Sequence, residues 1–329
     1  MNKLAVVALG GNAILRNNQK GTIKEQEHNT YETLKNLLFL IKENYNLVIT
    51  HGNGPQVGNI IMRNEAGNRL YQISQMPLDV CVADSQGGIG YVIERLLRNI
   101  LLENNIKRDI LTLVTQVVVD KNDNAFINPV KQIGKTYSKK EVNELTKIKG
   151  WIFKESKKSK GGWRRVVPSP MPKKIFNEKT IESNAKNGVI VIAAGGGGIP
   201  IYKDKNNLTK PIEAVIDKDL ASSLLASEIY ANELYILTDV PYVFLDYGKT
   251  NQKVAEFLNL EDTIKYYEEG QFGEGNMAPK ILSAINFIKN GGDKAIITEA
   301  TKLNDKRYGT KITLNYDLKD KPHNLPLDY

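Results

Sequence analysis

Three charged residues stand where the chain changes from a short apolar run to an amphipathic pattern. They are Asp217, Lys218 and Asp219, within the stretch from Glu213 to Ala226. A helix N-terminus favours anions, so the two aspartates have an electrostatic reason to be there and the lysine does not. A lysine directed at an anionic substrate, with Asp219 fixing its direction, would account for all three. These residues alone leave open a capped surface helix with a solvated lysine.

Three separate glycine clusters follow apolar runs that are typical of buried strands. Such turns let backbone N–H groups approach an anion closely, beside a helix N-terminus. A single cluster is weak support, because many turns need a residue with positive φ. Three clusters in one chain predict binding of phosphate-like groups, although neither the P-loop nor the dinucleotide fingerprint is present. The clusters are Gly10-Gly11-Asn12, Gly52-Asn53-Gly54 and Gly195 to Gly198.

Two further lysines are candidates for the same chemistry. Lys280 follows Pro279 at a predicted helix start, and Lys131 lies in the stretch from Asn128 to Gly134. Phosphoryl transfer requires in-line positioning and neutralised charge more than covalent help from the protein. Lysines provide that neutralisation as movable point charges. For any one lysine a solvated surface charge is the alternative, but the three beside glycine turns predict a phosphotransfer enzyme.

The elements that would position these residues alternate between strands and helices. A capping-box pattern from Thr22 to Glu25 and a proline at position 55 mark two helix starts. We predict strands over Leu4–Leu9, Leu47–Thr50, Leu111–Val119, Val189–Ala194, Leu234–Val240 and Lys294–Ala300, with an edge strand at Lys311–Leu314. We predict further helices over Pro77–Glu103, broken or loosened near Gly87-Gly88 and Gly90, from Asp217, and from Gly275 to Lys289. This order is typical of an open α/β sheet, which binds ligands at the carboxyl ends of its strands.

The composition changes after Asp120. Residues from 121 to about 165 are polar and lysine-rich, with glycine and proline breaks, and they do not continue the alternation. We interpret them as an inserted, protruding subdomain that acts as a lid. A disordered loop is the alternative, but Trp151, Phe153 and Trp163 favour some packing.

Composition limits the class of protein and of partner. The chain has 329 residues, of which 41% are hydrophobic, enough for one large α/β domain or two lobes. The net charge of +8 suits nucleic acid, membrane surfaces or small anionic ligands. No nucleic-acid signature and no membrane-spanning run is present, so we expect small phosphorylated ligands and neither of the other partners. A single cysteine, Cys81, and the lack of a signal peptide predict a cytoplasmic protein.

Motifs distributed over nearly the whole chain form a specific set. They are Val6–Ile14, Thr50–Gly58, Gln75–Asp79, Gln86–Tyr91, Gly162–Pro170, Ala194–Pro200, Ala214–Ser222, Ile236–Val240 and Gly273–Lys280. With these motifs the sequence resembles the carbamate kinases of the amino acid kinase superfamily. Many other members, such as acetylglutamate kinases, have a lysine two positions before the first glycine pair, where this chain has Ala8. In carbamate kinases other lysines supply that charge, and the resemblance places them at Lys218 and Lys131.

The resemblance implies a three-layer αβα sandwich around a mainly parallel eight-stranded sheet, with a protruding subdomain and a homodimer. It implies the reaction ATP + carbamate ⇌ ADP + carbamoyl phosphate, usually run toward ATP as the last step of arginine breakdown. The half up to about residue 170 would bind carbamate or carbamoyl phosphate, and the half from about 171 would bind ATP or ADP. Mg²⁺ would be held chiefly by nucleotide phosphates and water, with no firm protein ligand.

Site roles follow from the same resemblance. The catalytic group would be Lys131, Lys218, Asp219 and Lys280. Substrate would be bound by Gly10, Gly11, Asn12, Gly52, Asn53 and Gly54. The nucleotide would be bound by Gly196, Gly197, Asp239, Tyr247, Met277 and Lys280. The insert departs from the usual Pro-Thr-Lys-Pro-Ile-Gly pattern, because it has Gln132 in place of the second proline.

Two rival functions remain open from the sequence. One is another phosphotransferase of the superfamily that acts on a different small carboxylate or phosphate, although Ala8 argues against the acetylglutamate type. The other is a sensor that binds nucleotide without catalysis. The three lysines argue against a sensor, because binding alone does not need charge aimed at a transition state.

Overall fold

The computed structural model describes residues 2–16, 19–155, 162–272, 277–305 and 307–316 as a mixed α/β protein. Its helices are α1 Gly11–Ile14, α2 Ile23–Lys35, α3 Leu38–Lys42, α4 Gly54–Tyr71, α5 Leu78–Glu103, α6 Lys139–Lys149, α7 Glu178–Lys186, α8 Lys218–Glu228, α9 Leu260–Glu268 and α10 Met277–Lys289. Short 3-10 helices cover Asn124–Phe126, Gly195–Gly197 and Ala300–Lys302. The predicted start of the last long helix at Gly275 lies outside the described residues.

The strands belong to one large sheet and three small ones. They are β1 Leu4–Leu9, β2 Asn46–His51, β3 Ile110–Thr112, β4 Gln116–Val119, β5 Lys131–Tyr137, β6 Ile152–Glu155, β7 Trp163–Val167, β8 Pro172–Ile175, β9 Ile190–Ile192, β10 Ile199–Lys203, β11 Thr209–Pro211, β12 Glu233–Thr238, β13 Val243–Leu245, β14 Lys253–Ala255, β15 Phe257–Asn259, β16 Lys294–Glu299 and β17 Thr310–Thr313. The central sheet has eight strands in the order β15-β17-β16-β12-β1-β2-β9-β3. All neighbouring pairs in it are parallel except β16 and β17.

Strand β1 shows why the sheet is covered on both faces. Leu4 and Val6 point into one hydrophobic core, which they share with α8 and α10. Ala5, Val7 and Leu9 point into a second core, which they share with α2 and α5. Because successive side chains of a strand alternate between faces, a strand buried twice must be continuously apolar. The predicted three-layer sandwich around a mainly parallel sheet is confirmed.

Several predicted elements need correction. The stretch Leu111–Val119 is not one strand: β3 pairs with β9 in the central sheet, whereas β4 pairs with β8 and β10 in a second sheet. The chain changes sheet at the fully buried Thr115, whose backbone N–H donates to Gln86 Oε1 at 2.8 Å. Strand β17 is not an edge strand of the central sheet, because β15 pairs with it on the side away from β16.

Helix α5 is not loosened at its glycines. It runs without interruption over 26 residues. Gly87 and Gly88 are exposed and an added Cβ would meet nothing within 4 Å at either. Gly90 faces the sheet, and a Cβ there would lie 2.4 Å from Thr112 Cγ2. The glycine at 90 therefore serves close helix–strand packing rather than a break.

The insert contains a three-stranded antiparallel sheet, in the order β5-β7-β6, and helix α6. A capping box between Ser138 and Glu141 starts α6. The ring of Tyr137 meets that of Phe153 edge to face at 5.2 Å, and the Arg165 guanidinium lies 3.8 Å from the Trp151 ring centroid. These contacts give the insert a small packed sheet of its own, which extends to Val167 at the end of β7.

Two sequence features have plain structural counterparts. Cys81 is a free, buried thiol within α5. Burial is the main reason that its pKa rises to about 11. In the part of the chain that the structure describes, no helix combines the length and the apolar character that crossing a membrane requires.

Candidate active site

The first two glycine clusters and the Gly195 turn lie at one edge of the central sheet. Gly10 follows β1, Gly52 follows β2, and Gly195 lies beyond β9, and these three strands are parallel neighbours. The carboxyl ends of parallel neighbours meet at the same edge of a sheet, where open α/β folds bind ligands. The backbone confirms the closeness, because Gly52 N donates to Leu9 O at 3.1 Å.

Asp217 links the start of α8 to the insert. Its Oδ1 accepts a hydrogen bond from Asp219 N at 2.9 Å, which makes it the N-cap of the helix. Its Oδ2 lies 2.7 Å from Lys131 Nζ, at the beginning of β5. The Asp217 carboxylate therefore both caps helix α8 and holds a lysine from the three-stranded sheet of the insert.

Asp219 holds the other two predicted lysines. Its Oδ1 accepts from Lys218 Nζ, and its Oδ2 accepts from Lys280 Nζ at 2.8 Å. The carboxylate is 4% exposed and Lys280 is 8% exposed. Two ammonium groups around one buried carboxylate leave a local excess of positive charge. Such a site suits an incoming phosphoryl anion.

The protonation of this cluster follows from burial and its ion pairs. Burial opposes ionisation of Asp219, but the Lys218 and Lys280 ammonium groups outweigh it and lower the pKa of the carboxyl. Burial likewise opposes the charge of Lys280, yet Asp219 raises the pKa of that lysine above its usual value. For Lys218 burial is the larger effect and lowers its pKa. Lys218 is therefore the more easily deprotonated of the two.

The Lys218 side chain runs along the first two glycine turns. A Cβ added to Gly52 would lie 3.3 Å from Lys218 Cδ and 3.9 Å from Gly11 N. Ser222 fixes the first turn of α8, because its hydroxyl donates to Lys218 O at 2.6 Å and meets Thr50 Oγ1 of β2 at 2.6 Å. The sheet, the glycine turns and the lysine thus form one continuous surface.

The third glycine cluster lies against the second. A Cβ on Gly196, whose φ is +66°, would lie 2.3 Å from Asn53 Nδ2. A Cβ on Gly197, whose φ is +90°, would lie 2.5 Å from Ile216 O. Positive φ and close approach together explain why only glycine fits here. The predicted nucleotide role of Gly196 and Gly197 stays a prediction, and their contacts are with the Asn53 turn and with the segment before α8.

The remaining predicted residues occupy different surroundings. Gly54 and Asn12 lie in the first turns of α4 and α1. Asp239 follows β12 and is one of the charges that raise the pKa of Lys280. Met277 is half-buried on α10, the helix that carries Lys280. Tyr247 is 71% exposed and its ring packs at 6.0 Å from that of Phe244, at the β13–β14 ribbon.

Sequence reasoning missed several buried polar residues near these turns. His51, Thr50, Ser85 and Gln86 are all at most 2% exposed. His51 ends β2, and burial is the main reason that its pKa falls to about 4, with the Lys218 charge acting in the same direction. A signal was available, because polar residues stand in runs that are otherwise read as core.

The described residues contain no group of three or more His, Cys, Asp or Glu side chains arranged to hold a metal ion.

Comparisons with known proteins agree with this architecture. The model of the amino acid kinase family matches residues 3–299. The carbamate kinase of Pyrococcus horikoshii is 46% identical over 316 residues, which cover 95% of this chain and 100% of that protein. The carbamate kinase of Thermoplasma acidophilum is 49% identical over 294 residues, covering 89% and 92%. The structure of carbamate kinase from Giardia lamblia bound to AMP-PNP has 38% identity and a TM-score of 0.87, covering 95% and 98%.

Proposed function

The chain belongs to the amino acid kinase family, among its carbamate kinases, and from that premise we propose that it transfers a phosphoryl group between ATP and carbamate. The reaction is ATP + carbamate ⇌ ADP + carbamoyl phosphate. The observation that carries this proposal is the convergence of Lys131, Lys218 and Lys280 on Asp217 and Asp219 beside two glycine turns.

In the forward direction a carbamate oxygen attacks the γ-phosphorus of ATP as the bond to the β,γ-bridging oxygen breaks. That bridging oxygen leaves with ADP, and the new oxygen–phosphorus bond completes carbamoyl phosphate. Charge accumulates on the equatorial oxygens and on the leaving oxygen. Lys218 lies beside Gly11 and Gly52, where it can neutralise the transferring group. Lys280 joins it through their shared carboxylate, so Asp219 sets the direction of both ammonium groups.

Lys131 would take part by exchanging partners. Its ammonium pairs with Asp217 in this structure, at 2.7 Å. A phosphate carries more charge than one carboxylate, so it competes for the lysine once bound. We propose that the insert, from 121 to about 165, closes as a lid when this exchange occurs. The substrate side would be formed by the Gly10 to Asn12 and Gly52 to Gly54 turns, and the nucleotide side by the second half of the chain.

We also propose that Mg²⁺ arrives with the nucleotide. Asp217 and Asp219, the two carboxylates that lie among the lysines, are both engaged by them. That donor set fits a metal held by phosphate oxygens and water better than a carboxylate cage. When bound, Mg²⁺ would neutralise charge on the nucleotide phosphates.

The biological setting remains part of the proposal. We propose that the enzyme forms ATP from carbamoyl phosphate as the last step of arginine fermentation, in the cytoplasm and as a homodimer. The support is its likeness to carbamate kinases along nearly the full length of both chains.

The test is formation of ATP from ADP and carbamoyl phosphate by the purified protein, in a coupled assay with Mg²⁺. Acetyl phosphate serves as the competing phosphoryl donor. We expect kcat/KM for carbamoyl phosphate to be at least about a hundredfold higher than for acetyl phosphate, since the glycine turns on the substrate side must fit a carbamoyl group. Equal or faster use of acetyl phosphate would assign the enzyme to a different acceptor.

A further inference from the structure

Helix α5 directs two consecutive polar side chains into the protein interior. Ser85 and Gln86 are each 2% exposed, and most of the other buried residues of the helix are apolar. Buried polar side chains are costly unless they are hydrogen-bonded, so such residues usually have a specific partner. Both have partners in the turns that follow strands β2 and β9.

Gln86 holds the Gly195 turn. Its Nε2 donates to Gly195 O at 2.9 Å and to Thr115 O at 3.1 Å, and its Oε1 accepts from Thr115 N at 2.8 Å. Thr115 completes the arrangement, since its Oγ1 accepts from Ala194 N at 2.9 Å. Ala194 has a φ of +49°, a conformation that costs free energy for a residue with a Cβ. The surrounding hydrogen bonds offset that cost and fix the turn.

Ser85 holds the Asn53 turn. Its hydroxyl donates to Val82 O at 2.6 Å and accepts from Asn53 Nδ2 at 2.8 Å. The Asn53 amide is therefore oriented by a side chain from α5 rather than by its own turn.

The two turns also touch each other. A Cβ on Gly195 would lie 2.3 Å from His51 Nε2, and one on Gly196 would lie 2.3 Å from Asn53 Nδ2. The close approach leaves no room for a side chain at either glycine. One turn of α5 thus supports two glycine turns that pack directly against each other.

We propose that Ser85 and Gln86 are positioning residues for the carbamoyl end of the substrate. They act through Asn53 and the Gly195 turn, and neither touches the reacting atoms. The inference moves the Gly195 to Gly198 turn from the nucleotide side, where the division of the chain into two halves puts it, to the acceptor side of the site beside Asn53. A small planar carbamoyl group suits this place, because two glycine turns present backbone groups with little side-chain bulk. The positioning role of Ser85 and Gln86 rests on the proposed carbamate kinase activity.

The test compares Gln86→Met, Ser85→Ala and a control, Gly87→Ala, in the same turn of the helix. Gly87 is exposed, and an added Cβ meets nothing within 4 Å. KM for carbamoyl phosphate, kcat, the Kd of ADP by calorimetry and the thermal midpoint are measured for each. We expect Gln86→Met to raise KM for carbamoyl phosphate at least about tenfold and Ser85→Ala about threefold, with the Kd of ADP within about twofold of wild type. The control should match the wild type in both kinetic constants and in the Kd of ADP, and its thermal midpoint should stay the same or rise, because alanine favours a helix more than glycine does.

Two results would overturn the positioning role. One is an unchanged KM for carbamoyl phosphate in Ser85→Ala, which decides the matter even if Gln86→Met does not fold. The other is a parallel loss of ADP and carbamoyl phosphate affinity, which indicates general destabilisation. Failure of the proposed function looks different, because the wild type itself would then make no ATP from carbamoyl phosphate.

Discussion

Lys280 on α10 and Asp219 on α8 are 61 residues apart in the chain, yet their side chains are joined by a buried ion pair of 2.8 Å. The helices that carry them pack together, and Ser223 Oγ donates to Ser283 O at 2.7 Å between the same two helices. This packing makes the position of Lys280 depend on Asp219. The carboxylate is therefore as important for arranging charge as the lysines are for supplying it.

Replacing Asp219 with Asn should destabilise the fold and lower activity. The substitution keeps the shape but leaves two neighbouring ammonium groups without their shared counter-charge. Breaking a buried pair in this way typically costs about 3–5 kcal/mol, which urea unfolding measures. Glu182→Gln is the control, because it breaks an exposed helix pair with Lys186 and should cost less than about 1 kcal/mol. Equal losses in the two variants would mean that Asp219 is not a structural hub.

Lys218→Ala should separate chemistry from binding. We expect kcat to fall at least about a hundredfold, because the substitution removes the charge that we propose stabilises the transition state. The Kd of ADP should rise only about threefold, since Lys280 and the backbone turns remain. The matched control is Lys205→Ala, an exposed lysine in the β10–β11 turn. Near-normal turnover of Lys218→Ala would reject the catalytic assignment.

Local patterns predicted the framework well. The continuous apolar run of β1 predicts burial on both faces, and the Thr22–Glu25 spacing predicts the capping box that starts α2. Asp217 could be predicted as a helix cap from the sequence, because an N-cap depends on residues that are close to it in the chain. The closeness of the Gly10 and Gly52 turns follows from β1 and β2, which are parallel neighbours and end at the same side of the sheet.

Contacts between distant segments were not predictable in the same way. The pairing of Lys131 with Asp217 joins positions 86 residues apart, and no local period indicates it. The change of sheet at Thr115 depends on Gln86, and the helical pattern does not indicate which distant backbone groups this polar side chain binds. The glycines of α5 suggest a break by their low helix propensity, yet tertiary packing outweighs a cost of about 1 kcal/mol each.

His51 should make stability depend on pH in a defined window. Burial lowers its pKa from 6.5 to about 4, so the folded protein binds this proton less readily than the unfolded chain. Stability from this residue is therefore complete above about pH 6.5 and is lost as the pH falls toward 4. The loss is on the order of 3 kcal/mol. The difference between wild type and His51→Gln in urea unfolding from pH 7 to 4 isolates this effect from the carboxylates.

The exposed His28 provides the control for that measurement. His28→Gln should follow the wild-type curve throughout. If His51→Gln also followed it, the imidazole would titrate equally in folded and unfolded states, contrary to its burial.

Gly58→Ala should disturb the insert without disturbing the central sheet. A Cβ at Gly58 on α4 would lie 2.5 Å from Gly134 Cα on β5, and backbone cannot yield easily. Lys131 is on the same strand, so we expect its reach to the site to change and kcat/KM to fall about tenfold or more. Gly67→Ala on the same helix is the control, because its nearest neighbour would be Ile73 Cδ1 at 3.8 Å. Equal activity of both variants would show that the contact is not needed for catalysis.

Closure of the insert should be visible by hydrogen exchange. In this structure the ion pair between Lys131 and Asp217 joins β5 to the start of α8. If bound nucleotide or carbamoyl phosphate recruits Lys131, amides of β5 and β7 should exchange more slowly with ligand than without it. Asp217→Asn weakens the resting link, so it should speed exchange of these strands in the free protein while leaving β1 and β2 unchanged. The same protection of β5 and β7 with ADP, with carbamoyl phosphate and without either ligand would rule out a moving lid.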